Sequence, residues 1–394
     1  MVGGSLTTRS QHHHGSHRHL LQTPPADRYP FDVKAVIVPT ARNASMMKEA
    51  IRLASKLNST LIVLCSGYSA APAVAGMARK AGVKIVVVDV NEFPDGVLPS
   101  FETCEVLAGT KLKRRTDTSA KRNLGLLLAK LIGWEQVIFL DDDITVPESL
   151  HLRDAAGLTG EYAGVGLTIG GYPDNSVVCH AYREAGGRQD MFVGGGALAI
   201  GTKAQISFFP NIYNEDWFFL LGDDGLQPTT STGRAIQKAY DPYATDVRAR
   251  REEFGDCLAE GLFWLLDTGK SLKDATVEHW QWFLRQRARF ITEVIRMVDC
   301  NIKDDPATKA RMLISLKAAR GRCMLIEPAL CVKYVDAWQS DRVLWREHLA
   351  KLDRTYGLDK GRETKHVREV REMFRALGFD DAKVHLSLPR ESLD

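Results

Sequence analysis

Three consecutive aspartates, Asp141, Asp142 and Asp143, follow the apolar run QVIFL and precede Ile-Thr-Val-Pro. Carboxylates this close repel one another unless a cation stands between them. A hard divalent ion such as Mg2+ or Mn2+ suits oxygen donors and completes its shell with phosphate oxygens and water. The competing reading is a solvated acidic turn capping a helix near 148–150. If the chain stays extended, side chains two apart share a face, so Asp141 and Asp143 are expected to point the same way. A second group, Lys121, Arg122 and Asn123, falls in the first turn of the helix expected over 116–134. Cations there oppose the helix dipole unless an anion is held at that end, as a diphosphate would be; the alternative is a solvated basic face continuing Lys111, Lys113, Arg114 and Arg115. Farther on come Gly194, Gly195 and Gly196, which mark a bulge, close approach of a ligand or tight packing, and the pair Glu215-Asp216, either a helix cap or free carboxylates.

Elements that position these residues are legible in the periodicity. Apolar runs at 34–39, 60–65, 84–90 and 136–140 read as buried parallel strands, and the segments between them carry helical spacing. This is the grammar of an α/β, doubly wound, mostly parallel sheet (Rossmann-like), which places the ends of those strands, and so the aspartates, at the mouth of a crevice. Neither GxGxxG nor GxxxxGK[ST] is present, so dinucleotide and P-loop readings lack their fingerprint. Further strands are expected at 161–169 and 176–182, with a turn at 170–174 between them, and strand character through 191–201.

From about residue 248 the pattern changes to amphipathic segments, 250–266, 276–298, 306–319, 328–352 and 364–377, the signature of helices. The chain therefore divides into a polar tail over 1–30, expected to be disordered and carrying a histidine-rich patch at His12–His14, His17 and His19, an α/β domain over 31–246, and a helical C-terminal subdomain over 247–394. Gln281, Arg285 and Arg289 lie four apart on one helix face, where they clamp an anion or face water. The helical third is expected to serve as an acceptor-side lid or a homo-oligomer surface.

With 394 residues, 44% hydrophobic content and 52 basic against 49 acidic residues, the composition gives no global field for nucleic acid. Seven cysteines without a CxxC argue against a disulfide framework and suit a cytoplasmic protein. No apolar run approaches the ~18 residues of a membrane-spanning helix.

Residues 39 to about 290 resemble the GT-A fold nucleotide-sugar glycosyltransferases, most closely family 2. Lys121-Arg122-Asn123-x-Gly125 resembles that family's RN-x-G helix and Asp141–Asp143 its DxD metal motif. Gly194–Gly196 resembles the loop beside donor sugar and acceptor, and Glu215-Asp216 the ED pair whose aspartate is the catalytic base. Gln286-Arg287-Ala288-Arg289-Phe290 is similar to the QRxRW signature, with Phe290 in place of Trp and a longer spacing from the ED pair. Pro39, Thr40 and Arg42, with Ser66, occupy the places where the fold usually holds the nucleoside. The resemblance implies a nucleotide-diphosphate sugar donor held through Mg2+ or Mn2+ on Asp143 and Asp141, with Lys121 or Arg122 assisting. It implies a hydroxyl acceptor deprotonated by Asp216, Glu215 beside it, and inversion at the sugar carbon. Two other readings stand beside it. Asp141-x-Asp143-x-Thr145 also satisfies the DxDxT pattern of haloacid-dehalogenase-type phosphatases, with Gly222-Asp223-Asp224 as a later acidic motif. A non-catalytic nucleotide-sugar-binding module is the third.

Overall fold

The computed structural model describes residues 9–27, 29–173, 175–203, 207–302, 305–358 and 367–387. Its first half alternates strand and helix as the apolar runs require: β1 (Ala35–Thr40), α1 (Lys48–Leu57), β2 (Thr60–Cys65), α2 (Ala71–Lys80), β3 (Ile85–Asp89), α3 (Glu102–Leu107), α4 (Thr118–Ile132) and β4 (Gln136–Leu140). After the aspartates come β5 (Ile144–Thr145), α5 (Leu150–Gly157), β6 (Gly164–Gly171), α6 (Val177–Glu184), β7 (Ala197–Gly201), α7 (Glu215–Leu220) and β8 (Thr229–Gln237). Five helices, α8 (Asp246–Asp267), α9 (Val277–Asn301), α10 (Pro306–Cys323), α11 (Pro328–Tyr356) and α12 (Val367–Ala376), precede a final strand β9 (Val384–Ser387).

The strands form one sheet in the order β5-β8-β6-β7-β4-β1-β2-β3-β9. β1 to β4, β6 and β8 run one way; β5, β7 and β9 run the other. Period-two alternation splits each central strand between two cores. Ala35 and Ile37 of β1 and Ile62 and Leu64 of β2 join α4 and the C-terminal helices on one face. Val36, Val38, Leu61 and Val63 pack with α1, α2 and α5 on the other. Gly125 lets α4 lie close on the sheet, since a Cβ there would stand 2.8 Å from Ile37 Cγ2. The strand order reverses between β1 and β4. That is the topological switch point, where the carboxyl ends of adjacent strands diverge and a crevice opens.

Several expectations are corrected. Residues 176–182 are not a strand: Ser176 caps α6 by accepting from Cys179 N, and the run VVCHAY is buried all round, so its apolar length carried no period to tell strand from helix. Strand β7 begins only at Ala197, leaving the three glycines in a loop before it. The acids do not continue an extended strand either, because the chain turns at Asp142–Asp143 with Ile144 N bonded to Asp141 O at 3.1 Å. The helices of the C-terminal third lie close to their expected bounds, although residues 364–366 and Asp174 lie outside the described residues. That third is not purely helical, since β9 pairs antiparallel with β3 at the sheet edge. It also shares one continuous core with α4 and the sheet.

The N-terminal stretch is the largest departure. Residues 1–8 lie outside the described residues, but those from Ser10 onward run along α8 and α9 rather than away from the protein. His13 and His17 are only 7% and 3% exposed, and Gln22 N bonds to Thr229 O at the start of β8. Each of these rings has a polar and an aromatic partner. His13 Nε2 lies 2.6 Å from Gln189 Oε1 while its ring stacks on Phe290 at 4.2 Å. A polar, histidine-rich composition therefore packs here because complementary acids and aromatics on α8 and α9 receive it. No helix of the described residues is long and apolar enough to cross a membrane.

Candidate active site

A cavity of about 320 Å3 opens beside the carboxyl end of β4, under the loop preceding β7 and against α7 and α8. Antiparallel pairing of β4 with β7 dictates this meeting. Leu140 stands opposite Ala197, and Asp141 N bonds to Gly196 O at 2.9 Å, so the glycine loop necessarily lies alongside the first aspartate.

Arg122 is the keystone. One turn into α4, it is 4% exposed and reaches out of the helix to grip both oxygens of Asp141, at 2.9 and 3.1 Å, and Glu215 Oε1 at 3.3 Å. Arg114 holds the other Glu215 oxygen at 2.7 Å and also donates to Ile212 O. Burial alone would raise the Glu215 carboxyl, but these two guanidinium groups hold it below its ordinary value. Asp216 is treated differently. Gly195 N donates to it at 2.6 Å, and burial together with the charge of Glu215 pushes its pKa up to about 6, against the opposing pull of Arg122. Adjacent carboxylates thus part ways: Glu215 is fixed as an anion, while Asp216 exchanges its proton near neutral pH. Asn214, in the left-handed conformation at φ 61, makes the turn that aims both into the cavity, and its side chain is tied to Asp256 at 3.1 Å.

The other two aspartates are held from β1. Thr40 Oγ1 donates to Asp142 Oδ2 at 2.6 Å, and Arg42 bridges Asp142 Oδ1 at 3.2 Å and Asp143 Oδ2 at 2.7 Å. Burial raises the Asp142 and Asp141 carboxyls; Thr40 and Arg42 oppose this at the first, Arg122 at the second, and the Asp143 charge adds to both.

Of the sequence-derived candidates, Arg42, Arg122, Asp141, Gly194, Gly195, Gly196, Glu215 and Asp216 line the cavity. Others support it from behind. Lys121 is 1% exposed and spends its ammonium on Thr40 O, Ser66 Oγ and Asp117, at 2.7, 2.6 and 3.0 Å, tying together the ends of β1 and β2. It is therefore not a solvated cation. Asn123 pairs twice with the backbone of Phe209, at 2.9 and 2.8 Å, and Pro39 is buried within β1. Gln286 meets His12 Nδ1 at 2.8 Å and Arg289 is exposed; neither lines the cavity, and Gln281 and Arg285 are likewise exposed. The buried member of that signature is Arg287, which binds Glu253 at 2.9 and 3.1 Å and Asp256 at 2.5 Å. Asp223 and Asp224 pair with Arg342 and Lys273 away from the cavity, so the later acidic motif of the phosphatase reading does not meet Asp141.

Sequence reasoning missed the opposite wall. Asp256 and Glu260 project from α8, with Trp217, Tyr213 and Phe192 beside them, and Ser16 and His17 close the same side. Four buried acids on α8, Glu252, Glu253, Asp256 and Glu260, were available as a signal, because acids with a one-turn repeat inside a largely apolar helix require internal partners.

The glycine loop supplies a test of this packing. A Cβ on Gly195 would stand 2.2 Å from Arg122 Nη1, and that guanidinium cannot retreat without releasing Asp141 or Glu215. Gly195→Ala is expected to destabilise the protein by ~1–3 kcal/mol, as overpacking does. Denaturant unfolding measures this, and Gly194→Ala is the comparison.

No protein-family model matches the chain, and no curated protein matches it. Among solved structures, a mannosyltransferase from Pyrobaculum calidifontis in complex with GDP-Man and Mn2+ is similar, with 14% identity over 84% of this chain and 90% of that one and a TM-score of 0.41. That degree of likeness assigns neither a reaction nor a ligand to this chain.

Proposed function

We propose that the protein is a glycosyltransferase that moves a sugar from a nucleotide-diphosphate donor to a hydroxyl of a polar acceptor, with Asp216 as general base. The observation that carries the reading is the division of labour between neighbouring carboxylates. Asp141, Asp142, Asp143 and Glu215 each face an arginine, whereas Asp216 accepts from the backbone N–H of Gly195 and has its pKa at about 6, in the range a base needs at neutral pH.

The donor set at the strand end fits a divalent cation. Asp141 and Asp143 offer only oxygen ligands, and the Asp143 charge is close enough to disfavour that of Asp141. When bound there, Mg2+ or Mn2+ would supply neutralising charge for a diphosphate leaving group. The chain's own groups do the rest. Arg42, at the end of β1, would change partners from Asp143 to a donor phosphate, and Arg122 keeps Asp141 ionised and oriented. Gly194–Gly196 allow a sugar to approach the backbone beside Asp216. Trp217 and Tyr213 provide faces for apolar sugar surfaces, and Asp256 and Glu260 accept from acceptor hydroxyls. Asp216 takes the proton as the acceptor oxygen attacks, and one base with direct attack gives inversion.

A thermal-shift panel of nucleotide sugars with and without Mn2+ tests the donor side, since only a ligand of the folded state raises the melting temperature. One nucleotide sugar is expected to stabilise the protein only with the metal present. Asp143→Asn should abolish that increment while melting like the wild type without ligand. Equal stabilisation with and without metal would remove the cation from the reading, and a metal-dependent ligand with no transfer to any acceptor would favour a binding module.

A further inference from the structure

We propose that the N-terminal histidines and α8 build a second metal site, for Zn2+, from His14, His17 and Asp267, with His19 as a fourth donor. His14 Nδ1 and His17 Nδ1 converge on Asp267 Oδ2, at 2.5 and 2.6 Å, and His19 Nε2 lies 3.2 Å from Oδ1. The donor atoms of the first three all fall within 4.8 Å of one another. Zinc takes imidazole nitrogen at ~2.0–2.1 Å in tetrahedral geometry, which spaces its donors by ~3.3–3.4 Å, so small side-chain rotations seat an ion among these.

The surroundings are those of a ligand set. The other ring nitrogen of His17, Nε2, stands 3.0 Å from Glu260 Oε2. When Nε2–H donates to that carboxylate, Nδ1 presents its lone pair to the cluster, the arrangement that orients metal-ligating histidines. The Asp267 side chain is 2% exposed, yet its Oδ1 makes no hydrogen bond, the His19 ring nitrogen 3.2 Å away standing outside hydrogen-bond geometry. Both rings are also fixed from outside: His14 stacks on Trp264 at 3.7 Å and His17 meets Trp217 edge-on at 5.5 Å. Imidazole with carboxylate suits zinc, whereas the all-oxygen pair Asp141 and Asp143 suits Mg2+ or Mn2+, so the two sites select different ions. An ion here joins the N-terminal segment to the last turn of α8. Because Ser16 and His17 line the cavity, it also sets the geometry of the wall opposite Asp141.

The test uses the full chain stripped of metal by a chelator and titrated with Co2+, whose visible absorption is strong in tetrahedral sites and weak in octahedral ones. One equivalent is expected to give the strong band, Zn2+ to displace it, and Asp143→Asn to retain it. Glu260→Gln should weaken Zn2+ binding ~10–100-fold, as loss of the carboxylate that orients a ligating histidine does, and Asp267→Asn or His14→Gln by more. His14 is partly exposed, so His14→Gln should melt like the wild type in chelator, separating lost ligation from lost folding. Absence of the strong band at one equivalent overturns the proposal, as does its survival in both ligand variants or its loss in Asp143→Asn. In each of those outcomes the histidines and acids form an ion-pair network held by protons alone.

Discussion

Asp216→Asn is expected to lower the rate of sugar transfer ~10²–10⁴-fold, the usual worth of a general base, while donor affinity stays near that of the wild type. Asn keeps the acceptor oxygen for Gly195 N–H, so the loop before β7 retains its anchor and only the proton acceptor is lost. Stability should move the other way. The folded-state pKa of about 6 lies above the ordinary 3.8, so between those values the folded protein holds a proton that the unfolded chain has released. Stability from this group is therefore greatest at low pH, falls as pH rises through that window, and remains reduced at neutral pH. Removing the ionisable carboxyl removes the penalty, and the melting temperature at pH 7.5 should be level with the wild type or higher. Transfer by the wild type should in turn rise with pH through about 6, as Asp216 loses its proton. Wild-type turnover in the variant would return Asp216 to the role of a residue that merely opens α7; a lower melting temperature would show that the carboxylate stabilises the loop.

What could be read from the sequence divides along a physical line. Buried parallel strands are apolar on both faces and short, so β1 to β4 announced themselves, and with them the place of Asp141 at a crevice. The helix bearing Lys121 and Arg122 and the loop of glycines were likewise visible. Partner choice was not. Lys121 and Arg122 are adjacent and both cationic, yet one locks two strand ends together and the other faces the cavity, because successive helix residues diverge by about 100° and only tertiary packing decides which meets ligand space. The same holds for Gln286, Arg287 and Arg289, where the middle residue turned inward to Glu253 and Asp256. His13 and His17 show the limit most sharply. A polar segment is expected to stay in water unless its partners are known, and those partners, Glu260 and Asp267, lie about 250 residues away.

Arg122→Met is expected to cost about 3 kcal/mol of stability and to lower transfer severely. Truncating one partner of a buried ion pair typically costs ~3–5 kcal/mol because it strands the opposite charge. Here the loss lies at the lower end, since Glu215 keeps Arg114 and the Asp141 side chain is 33% exposed and can draw water. Urea unfolding of the purified variant measures it. Arg122→Lys separates charge from shape: an ammonium restores a positive charge but cannot span Asp141 and Glu215 with a planar fork, so part of the stability should return while transfer remains impaired. The electrostatic consequence is specific as well. The Arg122 charge acts to lower the pKa of Asp216, so losing it should move the alkaline-going rise of any residual transfer above the wild type's midpoint of about 6. A pH profile unmoved by Arg122→Lys or Arg122→Met would separate the ion pair from the base, leaving Arg122 as a brace between α4, β4 and α7. An upward shift would join the buried pair and the reacting carboxylate into one electrostatic unit.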